Sequence, residues 1–183
     1  MMSLVKRITT IVVSASVVAT LVAACSVEDA TPLPRCDRGD SALIAAQSVP
    51  SAEMLPCFTH LPLGWEVDTV GITHDGTSIS FDSDRAGHHA AALDFLEACD
   101  STGSTEQPSG HDDVERFART EQEGSSVRTS IFHVFAGGCV TWTFDVSDKV
   151  PLSELTALEE SLVLMPRSVV RDNVVDSFID REL

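Results

Sequence analysis

Residues 139–146 alternate strictly: Val140, Trp142, Phe144 and Val146 fall on one side, and Cys139, Thr141, Thr143 and Asp145 on the other. A strand with one dry face and one wet face belongs to a sheet that is covered on one side only. The same logic reaches upstream. Ile79 and Phe81 alternate with serines, and Asp75-Gly76 between two strand-like runs, Trp65 to Ile72 and Ser78 to Asp82, signals a hairpin. Val114 to Thr120 and Val127 to Phe135 supply two further strands, and Gly137-Gly138 marks the turn into the last one.

Between these runs the pattern predicts helices. Asp40 caps a short helix over Ser41 to Ser48, and Ser83 and Asp84 offer caps for one from Arg85 to Cys99. In that second helix Ala92, Phe95, Leu96 and Cys99 follow the i, i+3, i+4, i+7 spacing. Pro151 and Ser153 open a third helix to about Leu164. Val174, Val175, Phe178 and Ile179 line one side of a fourth. Asp100 to Asp113, rich in Ser, Thr, Gly and acid, reads as a mobile loop. The expected class is therefore α+β: an antiparallel sheet of about five strands with helices packed mainly on one face, in the order α-β-β-α-β-β-β-α-α.

The first 25 residues are of another kind. Lys6 and Arg7 precede an apolar run from Ile8 to Ala24, which ends in Leu21-Val22-Ala23-Ala24-Cys25. The run is short for a membrane-spanning helix and is diluted by Thr9, Thr10, Ser14, Ser16 and Thr20. The closing stretch resembles the lipobox of bacterial lipoproteins. That resemblance implies cleavage before Cys25, a diacylglycerol on its sulfur, and a domain tethered to the outer face of a membrane. The expected organisation is a signal peptide over 1–24, a lipidated cysteine and tether over 25–35, and a single globular domain over 36–183.

Composition narrows the partners. The chain carries a net charge of −16, and removal of residues 1–24 takes away two cations and no acid. A surface this negative argues against nucleic acid, whose binding rests on neutralising phosphates, and against lying flat on anionic lipid. Four cysteines lie beyond Cys25: Cys36, Cys57, Cys99 and Cys139. None falls in a Cys-x-x-Cys pair, so two disulfides are expected rather than a zinc ribbon. Three pairings are open, of which Cys36–Cys57 with Cys99–Cys139 is the favoured one.

Pro62-Leu63-Gly64-Trp65, opening a strand, resembles the entry to the Mog1/PsbP-like domains of some actinobacterial lipoproteins. Ser83-Asp84-Arg85-Ala86-Gly87 and Gly137-Gly138-Cys139-Val140-Thr141 are similar to stretches of uncharacterised actinobacterial lipoproteins. These resemblances imply a small α/β sandwich used for binding, or as an accessory, and bring no catalytic residue.

Candidate chemistry is sparse. His88 and His89, near Asp82 and Asp84, are the best metal candidates, since imidazole and carboxylate suit zinc or copper. On a helix, however, adjacent histidines diverge by about 100°. Trp65 and Trp142 read either as core or as the lining of a small-ligand groove. There is no Gly-x-Ser-x-Gly, Ser-x-x-Lys or His-Glu-x-x-His. Cys139 near His133 is better read as half of a disulfide than as a nucleophile. The expected function is a non-enzymatic binding or accessory module of the cell envelope, anchored to membrane lipid through Cys25, needing no cofactor and engaging an envelope protein partner. A small-ligand or metal-ion carrier is the first alternative and an envelope hydrolase the second.

Overall fold

A computed structural model describes residue 35 and residues 45–123, 126–147 and 151–172. The expected signal segment, Cys25, Cys36, most of the expected tether, Asp40 and the first part of the expected 41–48 helix lie outside the described residues, as does the 174–179 segment. What is described is mostly β. Nine strands run in chain order as β1 (Met54–Phe58), β2 (Trp65–Thr73), β3 (Gly76–Ser83), β4 (Gly87–Leu96), β5 (Thr105–Gln107), β6 (Glu115–Glu123), β7 (Ser126–Phe135), β8 (Gly138–Ser147) and β9 (Leu162–Pro166). One helix, α1 (Leu152–Glu160), precedes β9, and helical turns occupy 45–48 and 167–172.

Seven strands form one antiparallel sheet in the order β2-β3-β4-β8-β7-β6-β5, and β1 pairs with β9 in a second, two-stranded sheet. The α+β expectation with about five strands is therefore corrected: the five predicted strands are present, and β1, β4, β5 and β9 join them. The largest departure is β4, expected as a helix over 85–99. Its apolar set also satisfies a period of two, and that period governs. Ala91, Leu93 and Phe95 are 1%, 0% and 0% exposed, while Ala92 and Asp94 between them are only half-buried. Ala90, Ala91 and Ala92 lack the β-branching that favours strands, so local propensity misleads here. Pairing on both sides, with β3 and β8, overrides it.

Register explains the core. Ile79 stands beside Leu93, which stands beside Trp142, and Phe81, Ala91 and Phe144 form the next row. The β1–β9 pair and α1 cover this face with Leu55, Phe58, Leu158 and Leu164. Trp142 stacks on Phe144 at 5.6 Å and meets Phe58 edge-on at 6.0 Å. Pro56 is tolerated in β1 because both strands of a two-stranded sheet are edges. Arg167 locks the turn at 45–48 to the strand ahead of it, donating to the carbonyls of Ala46, Val49 and Ala52 at 3.0, 2.6 and 2.6 Å.

The opposite face carries Ser78, Ser80, Ala92, Asp94, Thr141 and Thr143. Part of it is covered by the segment expected as a mobile loop over 100–113. That segment holds β5, and Arg119 donates to the Thr102 carbonyl at 2.8 Å while lying over the Phe132 ring. Cys99 and Cys139 form the expected disulfide, with Cα atoms 5.8 Å apart, although Cys99 follows a strand rather than a helix. Cys57 is disulfide-bonded; the Cys36 half of the Cys36–Cys57 expectation lies outside the described residues.

Candidate functional site

The regular ladder fails twice at one level of the sheet, on the two sides of β3. In β2, Val67 pairs with Phe81 and Thr69 with Ser80, so Asp68 is an extra residue. In β4, Gly87 pairs with Ser83 and Ala91 with Phe81, so residues 88–90 stand opposite Asp82 alone. Bulges of this kind bend a strand and re-aim its side chains. Here they turn Asp68 and His89 toward Asp82.

The resulting array is tightly bonded. Asp82 accepts the His89 backbone N–H on Oδ1 at 2.8 Å and lies 2.6 Å from His88 Nδ1 through Oδ2. Asp68 Oδ2 accepts the Ser80 hydroxyl at 2.9 Å and lies 2.9 Å from His89 Nε2. One ligand atom from each of Asp68, Asp82 and His89 falls within 4.8 Å of the other two. The carboxylates are sheltered, with side-chain exposures of 29% and 14%, while His89 and His88 are 74% and 92% exposed. The His89 N–H, then His88, hold the Asp82 carboxyl below its ordinary range, and the bond to Asp82 raises His88.

His89 has φ of 52°, the one non-glycine residue in the left-handed region among those described. That conformation costs on the order of 1–3 kcal/mol. The exposed His89–Asp68 pair returns about 0–1 kcal/mol. The His89 N–H to Asp82 bond offsets part of the cost, and strained positions at bulges of this kind mark a place where function is to be sought.

The expected residues are partly brought together. His88 and His89 meet at Asp82, His88 through its ring and His89 through its backbone. Asp84 is not in the array; its N–H donates to the Gly64 carbonyl at 2.9 Å. Asp68 is not among the expected residues, although the sequence carries a signal for it. Trp65 and Val67 alternate, then Val70 and Ile72 do so in the opposite phase, and only an extra residue between them restores one apolar face. Trp65 and Trp142, 7% and 0% exposed, are packed in the core.

A second polar cluster joins β6, β7 and α1. Arg116 donates to Glu159 from Nε at 2.9 Å and from Nη2 at 3.2 Å, and His133 Nε2 lies 3.6 Å from the same carboxylate. Burial pushes Glu159 up, but His133 and Arg116 outweigh it and hold the carboxyl below the usual range. With every oxygen committed, this cluster fastens α1 to the sheet.

No family model matches the chain, and no curated protein matches it. Among solved structures, a similarity is found to a protein of Bacteroides thetaiotaomicron VPI-5482, at 14% identity and a TM-score of 0.39. The match covers 63% of this chain and 46% of the other, so this chain spans under half of that protein's length. At that score the likeness carries no argument about fold or function.

Proposed function

We propose that this chain is a lipid-anchored, extracytoplasmic binding module, non-enzymatic, whose ligand engages the bulged end of the sheet around Asp82. One observation carries the reading: two bulges in separate strands converge on a single carboxylate and hold a non-glycine residue in a left-handed conformation to do so. Anchoring rests on Lys6, Arg7 and the Leu21–Cys25 stretch, and an oxidising location is supported by the Cys99–Cys139 disulfide. The two carboxylates of the array are held by Ser80, His88 and the His89 N–H, which suits holding a ligand in a set geometry.

Two measurements test this. A Cys25→Ser variant leaves the membrane fraction; retention there would mean that the apolar run itself is the anchor. Native mass spectrometry of the full-length protein, gently extracted from its host's membranes, shows an added mass that disappears in Asp82→Asn. An identical spectrum for both proteins would remove the bulged end as the binding site.

A further inference from the structure

Resting on that reading of the bulged end, we propose that its ligand is a divalent transition-metal ion of the zinc class, bound by Asp68, Asp82 and His89. The donor set decides the class. One imidazole nitrogen and two carboxylate oxygens suit a borderline ion such as zinc, bound at about 2.0–2.2 Å. Calcium and magnesium take six or more oxygens and make little use of nitrogen. Three protein ligands leave one position open on the solvent side, as in sites that bind a fourth ligand from solution.

The geometry is close to what the ion needs. Nε2 of His89 and Oδ2 of Asp68 are 2.9 Å apart, a hydrogen-bond separation that opens slightly, to about 3.3 Å, when both bind one tetrahedral ion. The three ligand atoms together span up to 4.8 Å, so a modest contraction completes the set. His89 supplies it, because its exposed ring can turn once the ion replaces the direct contact with Asp68, whereas the carboxylates are sheltered. Outer hydrogen bonds orient them: Ser80 Oγ holds Asp68, while the His89 N–H and His88 Nδ1 hold the two oxygens of Asp82. Groups of this kind commonly change metal affinity about 10–100-fold when removed. Glu66, opposite Asp82 on β2, adds a further negative charge that favours a cation.

An exposed ion pair between His89 and Asp68 uses the same bulges but engages only two groups; the Asp82 carboxylate, within 4.8 Å of both, supplies the third ligand that an ion requires and the pair does not. A metal ion requires that ligands from β2 and β4 reach across β3, and only the two bulges achieve this.

The test is calorimetric titration of zinc chloride into chelator-treated, full-length protein in detergent. One ion binds per chain, with a dissociation constant of about 1 micromolar or tighter. Asp68→Asn and His89→Gly each weaken it by about 10-fold or more. His89→Gly is the decisive variant, because glycine keeps the left-handed backbone and deletes only the imidazole. His74→Ala, which removes the imidazole at the β2–β3 turn, leaves zinc affinity unchanged. Cobalt in place of zinc gives the intense visible bands of a tetrahedral site in the parent and not in His89→Gly. Absence of zinc binding in the parent, or binding that survives His89→Gly, overturns the assignment. If zinc fails while the added mass is still lost in Asp82→Asn, the metal inference falls and the binding module stands.

Discussion

The Nε2 of His89 lies 2.9 Å from the Oδ2 of Asp68, although the two residues belong to strands that are not neighbours. Strand β3 runs between them, and two strand spacings amount to about 9.6 Å. The contact exists because each flanking strand carries surplus residues at the same level and spends them on leaning over β3. A regular sheet of the same sequence length would leave the two side chains apart.

That origin makes His89 separable into a backbone role and a ring role. His89→Gly unfolds within about 1 kcal/mol of the parent, since relief of the left-handed strain offsets the lost exposed pair. His89→Val, β-branched and intolerant of positive φ, loses about 1–3 kcal/mol. Urea melts of both variants check this, and equal stability for the two would show that the bulge relaxes freely.

Gly137 turns β7 into β8 with φ of 69°, and an added Cβ would come within 1.9 Å of the Ser51 carbonyl oxygen. Gly103 has a similar φ of 77° but open space around it. Gly103→Ala therefore costs about 1 kcal/mol from backbone strain alone. Gly137→Ala costs at least about 2 kcal/mol more, because the obstacle is backbone that must shift. Thermal melts that rank the two equally would contradict the close approach of residue 51.

Glu159 sets a pH dependence. Its carboxyl is held low in the folded protein, so its contribution is present above the unfolded carboxylate value and is lost as pH falls through the folded one. Glu159→Gln is less stable than the parent by about 1–3 kcal/mol near neutrality, where it leaves Arg116 without its anion. The two converge in acid, below the folded value. Stability curves of both proteins against pH show this, and a gap that stays constant into acid would mean that the ion pair contributes nothing.

Trp142 is fully buried, and its Nε1 has no hydrogen-bond partner among the described residues. Trp142→Ala opens a large cavity and costs about 3–5 kcal/mol. Trp142→Phe costs clearly less, because removing the unpaired donor returns part of the lost packing. Denaturant titrations followed by circular dichroism separate the two. Equal losses would indicate that Nε1 is bonded in solution.

Much of the sheet was legible because alternation is a direct print of a half-covered strand. The β2–β3 hairpin followed from Asp75-Gly76, and the β7–β8 turn from Gly137-Gly138. What stayed hidden was set by contacts distant in sequence. β4 contains an alanine run that looks helical until β3 and β8 flank it. β9 looked like the tail of α1, and β1 carries a proline that in isolation argues against a strand. The site was half legible. His88 and His89 stand out as a pair, but the helix-like pattern around them hides the bulge that brings them to Asp82, and Asp68 announces itself only through a change of phase between Val67 and Val70.

The pairing of β1 with β9 joins the first described strand to the last, with Met54 against Pro166. Most other pairings link strands adjacent along the chain and can zip up as the chain emerges. The apolar face of the large sheet nevertheless stays bare until β9 arrives to hold β1 over it. Closure is thus delayed until β9 has been made, since loop entropy opposes the long-range pairing until its contacts form. A chain cut short before residue 162 would expose Phe81 and Trp142 to every other unfolded strand in reach.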